Sequence, residues 1–364
     1  MIGIDLFAGA GGMSLGAAAS GIKTIAAVEC DPWAANTYET NFKGVKIFKD
    51  DIRNVKIKDF DVSSRKEPLI IYGGPPCQGF STSNQMTRSS ANPLNWLFLE
   101  YIRIVEGMRP DWLVFENVRG ILETEGGIFL EEITKRLRSL GYNLFYSVLN
   151  AVNHGIPQSR SRIFIIGSLN HDVNNILPEK TSEEVITVKD AISDLPVLSN
   201  GANINELRYK SSAKSAYAAK LRGHLKTCAN HLVTNNADYI IERYSHIPQG
   251  GNWENIPLDL MHNYKNPSNC HTLIYHRLKN SDPSVVIGNY RKNMIVHPTQ
   301  NRGLSVREAA RIQSFPDWFE FKGSIGFQQQ QVGNAVPPFL SEIVFNSVME
   351  TEFKSHSRKY SLAA

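Results

Sequence analysis

Short apolar runs alternate with amphipathic segments through roughly the first 170 residues. The apolar runs predict strands at 2–7, 24–29, 69–72, 112–116, 142–149 and 162–167, with a further strand ending at Asp51-Ile52. Apolar residues at helical spacing predict helices over 12–20, 32–42, 97–108 and 129–140. This alternation is typical of the α/β class, here a doubly wound, mostly parallel, Rossmann-like sheet.

The pattern changes after the last of these strands. Asn, Ser, His and Tyr become frequent, and turn signals such as Pro248-Gln249-Gly250-Gly251 interrupt the chain. We therefore expect a smaller, irregular domain over 181–324. Apolar helical spacing returns at Phe339, Ile343 and Val348, which predicts a last helix that packs on the first domain. The predicted domains are thus 1–180 plus 325–364, and 181–324.

Composition adds expectations about compartment and partner. The 364-residue chain has no apolar run of the roughly 18 residues that a membrane span needs, and its start lacks the basic segment of a signal peptide. Four scattered cysteines favour a reducing cytoplasm. Residues 185–303 contain 14 Lys and Arg against 8 Asp and Glu, and 208–226 contains six basic residues and no acid. Such a stretch is either a solvated basic surface or one that faces phosphates.

A glycine-rich turn follows the first predicted strand, in the run Asp5-Leu6-Phe7-Ala8-Gly9-Ala10-Gly11-Gly12. The dinucleotide fingerprint needs a sixth-position glycine where this chain has Ser14, so that match fails. A nucleoside without a pyrophosphate still fits, because Glu29 ends the second strand where an acid can accept both ribose hydroxyls. Asp51-Ile52 is a candidate to hold an adenine edge.

Cys77 follows a predicted buried strand in the run Gly73-Gly74-Pro75-Pro76-Cys77-Gln78-Gly79-Phe80-Ser81. In open α/β sheets, reacting groups lie at the carboxyl ends of strands. Glu116 ends the next strand, and Arg160 and Arg162 stand at alternate positions, hence on one face of a strand. Arginines lower the pKa of a nearby thiol. A thiol, an acid and a fork of two arginines therefore predict covalent catalysis, although a lone Cys is more often a small buried apolar residue.

Together these motifs resemble the bacterial DNA (cytosine-5)-methyltransferases of restriction-modification systems. The matching runs stand in the order of that family: DLFAGAGG from Asp5, GGPPCQGFS from Gly73, ENV from Glu116, QSRSR from Gln158, REAARIQSFPD from Arg307 and QVGNAVPP from Gln331. The resemblance implies methyl transfer from S-adenosyl-L-methionine to C5 of a cytosine flipped out of double-stranded DNA, with S-adenosyl-L-homocysteine as product and no metal. It makes residues 181–324 the target-recognition domain.

The resemblance also implies roles for individual residues. Cys77 matches the nucleophile that adds to C6, Glu116 the acid on N3 and the exocyclic amine, and Arg162 the contact to the base carbonyl. Arg160 supports the same site, and Asn117 resembles a scaffold for the loop that carries Cys77. The positions that match the S-adenosylmethionine pocket are Phe7, Gly9, Ala10, Gly12, Glu29, Asp51, Ile52, Pro76, Leu97, Asn334 and Val336.

The chain departs from the family pattern at two places. Many relatives have an arginine after the proline in the loop that follows the nucleophile, where this chain reads Asn92-Pro93-Leu94-Asn95. Relatives often carry an aromatic residue after the ribose-binding acid, where this chain has Cys30, so no adenine-stacking residue is assigned. In the middle domain, the spacing of five residues fits no tetrahedral zinc motif well: His224, Cys228, His231, Cys270 and His271.

Other functions stay open on the sequence. The basic middle domain disfavours an RNA cytosine-5 methyltransferase, and a catalytically inactive DNA-binding regulator would be expected to lose Cys77, Glu116 or Arg162. Ser14 disfavours a nicotinamide oxidoreductase. We expect a monomer acting on a short specific duplex site in the bacterial cytoplasm, associated with the nucleoid, with no membrane contact. A cognate restriction endonuclease for the same site is a candidate partner. Base contacts in such a domain depend on geometry as well as on side-chain type.

Overall fold

The computed structural model of the chain describes residues 1–62, 64–76, 96–264, 271–292 and 294–361, with side chains as far as residue 354. The chain divides into two compact units. Unit one consists of Met1–Asn150, Ser161–Thr181 and Pro338–Ala364, and unit two consists of Ala151–Arg160 and Ser182–Pro337. The predicted nucleophile Cys77 lies outside the described residues.

Unit one is built on a seven-stranded sheet. In chain order its strands are β1 (Ile2–Leu6), β2 (Lys23–Val28), β3 (Lys46–Phe48), β4 (Leu69–Gly73), β5 (Trp112–Val118), β6 (Asn143–Asn150) and β7 (Ser161–Ser168). Across the sheet the order is β3-β2-β1-β4-β5-β7-β6, with β3 to β5 parallel and β7 antiparallel to both of its neighbours. The carboxyl ends of β4 and β5 therefore lie beside the amino end of β7. This confirms the predicted mostly parallel α/β sheet.

The helices begin where local residues favour them. In chain order they are α1 (Gly12–Ala19), α2 (Pro32–Asn41), α3 (Phe98–Met108), α4 (Ile128–Ser139), α5 (Val188–Ile192), α6 (Ala216–Arg222), α7 (Asp238–Ser245), α8 (Val306–Ile312), α9 (Ile325–Asn334) and α10 (Pro338–Ser361). At α2, the Asp31 carboxylate accepts from the N–H groups of Trp33 and Ala34, and Pro32 takes the first helical position. No helix in the described part of the chain is long and apolar enough to cross a membrane.

The last helix, α10, packs on unit one. Ser20 Oγ donates to the carbonyl of Glu342 at 3.1 Å, and Trp112 Nε1 donates to Glu352 Oε2 at 2.7 Å. A Cβ on Gly16 would lie 2.5 Å from both the backbone N of Glu342 and the Cβ of Ser341, so α1 and α10 touch backbone to backbone. The end of the chain thereby covers the helix that follows the glycine-rich turn.

Unit two has little regular structure and buries several arginines. A two-stranded ribbon pairs β8 (Leu207–Arg208) with β9 (Thr227–Cys228). Arg302 donates to both carboxylate oxygens of Glu308, at 2.8 and 2.7 Å, and Arg277 donates to the carbonyls of Ile247 and His297. Buried arginines of this kind stabilise irregular backbone by satisfying its carbonyls. Part of the positive charge predicted for this region is therefore internal.

Two sequence predictions differ from the structure. The third strand ends at Phe48 and not at Asp51-Ile52, because Asp51 caps a short 3-10 turn by accepting from the N–H of Arg53 at 2.9 Å. The compact units change between Pro337 and Pro338, whereas the sequence predicted a boundary after residue 324. The segment 325–337, which holds α9, therefore groups with unit two.

Candidate active site

Glu116 and Arg162 form an ion pair on the sheet of unit one. Arg162 Nε lies 2.9 Å from Glu116 Oε1, and the two side chains are only 12% and 9% exposed. In the β5–β7 pairing, Val118 lies opposite Arg162 and Glu116 lies opposite Phe164. Residues 162 and 164 share one face of β7, so the acid and the arginine are diagonal neighbours. Arg162 reaches the carboxyl end of β5 because β7 runs in the opposite direction.

The turn after β4 is shaped around this acid. A Cβ on Gly74 would lie 2.5 Å from Glu116 Oε2, so only glycine leaves the carboxylate in place. Asn117 Nδ2 donates to the carbonyl of Pro75 at 3.2 Å. That contact lies two residues before Cys77 in the chain, where a scaffold for its loop was predicted. The role of Gly74 was missed from the sequence, although the glycine doublet before the two prolines is the signal that could have found it.

Arg160 has different partners from Arg162. Its buried guanidinium donates to three backbone carbonyls of unit two, those of Ile287 at 3.1 Å, Gly333 at 3.0 Å and Ala335 at 2.9 Å. β7 begins at Ser161, so Arg160 precedes the strand on which the two arginines were predicted to share a face. The predicted fork is therefore corrected: Arg162 pairs with Glu116, whereas Arg160 holds the backbone around Asn334.

The glycine-rich turn after β1 holds the candidate ribose acid. Phe7 and Gly9 have positive φ angles of 59° and 55°, which turn the chain sharply after β1. A Cβ built on Gly9 would have no described atom within 4 Å, so the space beside this residue is open. The N–H groups of Gly9 and Asp31 each donate to one oxygen of Glu29 at 2.7 Å. Burial raises the pKa of Glu29. The Glu29 carboxylate also has a hydrogen bond with the Cys30 side chain. A carboxylate has about four acceptor positions, so Glu29 can still accept from ribose, and these residues fit the nucleoside part of a cofactor.

The other predicted cofactor positions divide between the two units. In unit one, Ala10 is buried, Gly12 is the first residue of α1, and Pro76 and Leu97 are half-buried at the borders of the undescribed segment 77–95. Asn334 and Val336 lie in unit two, at and just after the end of α9, the first exposed and the second buried.

Asp51 already has a charged partner. Arg53 Nε donates to Asp51 Oδ1 at 2.9 Å, and this hydrogen bond lowers the pKa of Asp51 to about 2. Its neighbour Ile52 is buried, and the Ile52 carbonyl accepts from Arg103 at 2.8 Å. An adenine edge at this position would share the Asp51 carboxylate with Arg53.

Comparison with known proteins decides the family. The sequence pattern of the family described as "C-5 cytosine-specific DNA methylase" matches residues 1–350. The chain belongs to this family. It is 37% identical over 352 residues to the type II methyltransferase M1.HphI of Haemophilus parahaemolyticus, a match that covers 95% of this chain and 86% of that one. It is 33% identical over 361 residues to M.DdeI of Desulfomicrobium norvegicum, covering 93% and 86%.

Solved structures agree with the methylase fold. A protein described as a DNA modification methyltransferase encoded within a prophage (E. coli) is 26% identical, with a TM-score of 0.78 over 96% of this chain and 99% of that one. The methylase is therefore a DNA (cytosine-5)-methyltransferase, as its motifs indicated, with type II restriction-modification relatives.

His231 and Cys228 of the methylase's middle region are packed side chains. No group of three or more His, Cys, Asp or Glu side chains that could hold a metal occurs among the described residues, and Cys270 lies outside them. His231 contacts Ser305 Oγ at 2.8 Å and the carbonyl of Pro196 at 2.7 Å, so both ring nitrogens have partners. Burial raises the pKa of the Cys228 thiol to about 11. These contacts are those of packed side chains.

Proposed function

We propose that the methylase methylates C5 of a cytosine that it flips out of a short, specific duplex DNA site, with Cys77 as the nucleophile. One observation carries the proposal: a nearly buried Glu116–Arg162 pair, 2.9 Å apart, at the carboxyl end of β5 beside Gly74. Cys77 follows Gly74 by three residues in the chain. An acid and a guanidinium together match the hydrogen-bonding groups on one edge of cytosine.

The chemistry assigns one task to each of these side chains. Cytosine C6 is a poor electrophile, and a hydrogen bond from Glu116 at N3 withdraws electron density from the ring, so that the Cys77 thiolate can form a bond to C6. C5 then becomes nucleophilic and accepts the methyl group. Loss of the C5 proton to a base and breakage of the C6–S bond restore the aromatic ring and the thiolate. Arg162 orients Glu116 and contacts the base carbonyl.

S-adenosylmethionine is the proposed methyl donor, and when bound it supplies an electrophilic methyl group on a sulfonium. Glu29 would accept the two ribose hydroxyls, because its oxygens are already fixed by the N–H groups of Gly9 and Asp31 at 2.7 Å. The open space at Gly9 lets backbone approach the ligand closely. No metal is proposed for the reaction.

Unit two is the proposed DNA-recognition unit, and unit one the proposed methyl-transfer unit. Within 208–226, five basic side chains are exposed: Arg208, Lys210, Lys214, Lys220 and Lys226. Arg222 differs, because it lies 3.7 Å from the ring of Tyr209 and donates to the carbonyl of Ser211 at 2.7 Å. Contacts from the exposed side chains to phosphates would help to offset the few kcal/mol that flipping a base costs.

The enzyme is further proposed to act as a monomer in the cytoplasm, at the nucleoid where its substrate lies. A cognate endonuclease that cuts the same site unless it is methylated is the proposed partner. Bisulfite sequencing of DNA from a host that expresses the chain would give the methylated site and strand.

The decisive test uses a duplex with 5-fluorocytosine at that site. We expect a covalent adduct with the wild-type enzyme, because fluorine cannot leave C5 as a proton does, and none with Cys77→Ala. Cys77→Ser should lose turnover while retaining DNA and cofactor binding, and Cys228→Ala serves as the control for removal of an unrelated thiol. Wild-type turnover by Cys77→Ser, or faster turnover on transfer RNA than on duplex DNA, would overturn the proposal.

A further inference from the structure

Ser14 is fully buried on α1, at the position where a dinucleotide-binding turn would have glycine. Its hydroxyl donates to Asp5 Oδ2 at 2.6 Å and lies 2.6 Å from the hydroxyl of Tyr38 and 2.9 Å from that of Tyr72. The Tyr72 hydroxyl in turn lies 2.6 Å from Thr24 Oγ1. One serine therefore joins a small polar network inside the core of unit one.

The network connects the segments that carry the candidate site. Asp5 lies in β1, directly before the glycine-rich turn. Tyr38 lies on α2, the helix that follows the candidate ribose acid. Tyr72 lies in β4, the strand that leads to Cys77. A single hydroxyl on α1 thus binds three segments that are separated in the chain, and each of them closely precedes or follows a predicted site residue.

The hydrogen bonds use the full capacity of the serine. A serine hydroxyl has one hydrogen to donate and two lone pairs that accept. Ser14 donates to Asp5, which leaves the two tyrosine hydroxyls as donors to Ser14, and Thr24 as donor to Tyr72. Glycine or alanine at position 14 would leave Tyr38 without the Ser14 acceptor and Tyr72 with only Thr24. Because buried polar groups are costly when unpaired, the surrounding segments would shift to find new partners.

We propose that Ser14 is a positioning residue of the cofactor site. Its hydroxyl hydrogen-bonds to residues of β1, α2 and β4, and these hydrogen bonds keep the glycine-rich turn aligned with Glu29. The proposal rests on the proposed use of S-adenosylmethionine. The part of the site that it would align is the hydrogen bond of 2.7 Å from the Gly9 N–H to Glu29. It also explains why this turn has serine where a dinucleotide fold has glycine.

The test compares Ser14→Ala with Ser20→Ala, a control at the C-terminal cap of the same helix, whose hydroxyl donates to the Gly16 and Glu342 carbonyls. Affinity for S-adenosylhomocysteine is measured by calorimetry, and amide hydrogen exchange is followed at residues 7–12 without ligand. We expect Ser14→Ala to bind the ligand about five- to tenfold more weakly and to exchange faster at 7–12. Affinity for duplex DNA should stay within twofold, and Ser20→Ala should match wild type in ligand affinity.

Tyr72→Phe gives an independent measurement if Ser14→Ala does not fold. It removes only a hydroxyl, since the ring keeps its edge contact with Phe345 at 4.9 Å, and it should weaken ligand binding in the same direction. A lower melting temperature with wild-type ligand affinity and wild-type exchange at 7–12 would overturn the proposal, because Ser14 would then only stabilise the core. If the wild-type enzyme itself binds no S-adenosylhomocysteine, the proposed function fails instead.

Discussion

Arg162 Nε lies 2.9 Å from Glu116 Oε1, across the antiparallel pair β5–β7 at which the parallel part of the sheet ends. Both side chains are nearly buried, so each charge depends on the other to offset its loss of hydration. Removal of one partner therefore affects the other, and the pair should behave as one unit in binding and in turnover.

Glu116→Gln preserves the size of the side chain but removes its charge and its ability to give up a proton. We expect kcat to fall about 10²- to 10³-fold, because general acid catalysis of thiolate addition is lost. The measurement is transfer of labelled methyl groups to duplex DNA at saturating substrate. Glu123→Gln, at an exposed position, is the control. Unchanged kcat for Glu116→Gln would remove this acid from the mechanism.

Gly74→Ala tests the space in front of the acid. The new Cβ would lie 2.5 Å from Glu116 Oε2, so either the carboxylate or the turn after β4 must move. A displacement of about 1 Å at a catalytic group can cost on the order of 100-fold in rate, and we expect a loss of that size in kcat. Gly288→Ala is the control, since no described atom lies within 4 Å of its Cβ and its φ is not positive. Similar rates for both variants would contradict the prediction.

Asp5 should make the stability of the fold depend on pH. Burial raises the pKa of Asp5 from 3.8 to about 8; the charge of Glu29 adds to this and the hydrogen bond from Ser14 opposes it. Among the described residues, the hydroxyls of Tyr38 and Tyr72 also face Asp5. Because the folded pKa lies above the unfolded value, the stabilising contribution of Asp5 is complete below about pH 4 and is lost as the pH rises to about 8.

Thermal unfolding of wild type and Asp5→Asn between pH 4 and pH 9 checks this sign. The melting temperature of the variant should rise relative to that of wild type as the pH increases from about 4 to about 8, and the difference should become constant above about pH 8. Parallel curves over the whole range would mean that Asp5 does not hold its proton in the folded protein.

Arg208 and Lys210 test the basic stretch of unit two. Both side chains are exposed, and they stand on either side of Tyr209 in the chain. The Tyr209 N–H donates to the Lys226 carbonyl at 3.0 Å, which extends the β8–β9 pairing, so Arg208 and Lys210 lie on the same face of the ribbon. If both contact phosphates, Arg208→Ala with Lys210→Ala should lower the slope of log K against log salt by about 1.8. Lys135→Ala, exposed on α4 of unit one, is the control. An unchanged slope in the double variant would place the phosphate contacts elsewhere.

Local pattern predicted the elements of unit one closely. Strands β1 and β4 and helices α1 to α4 begin within one or two residues of their predicted positions, because apolar spacing and caps such as Asp31 act over a few residues. The predicted end of the third strand was wrong for an equally local reason, because the hydrogen bond from the Arg53 N–H to the Asp51 side chain was not anticipated. Irregular unit two has no such periodicity, so its helices were not predicted.

The sequence by itself determined the family, the order of its motifs and the alternation of strands and helices, because these are properties of residue types and short spacings. The tertiary structure alone decided which side chains meet. Arg162 pairs with Glu116 because β7 enters the sheet antiparallel, and Arg160 instead holds carbonyls that lie more than 100 residues away in the chain. Ser14 reaches Tyr72, 58 residues away in the chain, because β1, the strand before α1, pairs with β4 and places Asp5 opposite Tyr72. Such partners depend on packing between distant segments, which local pattern does not specify.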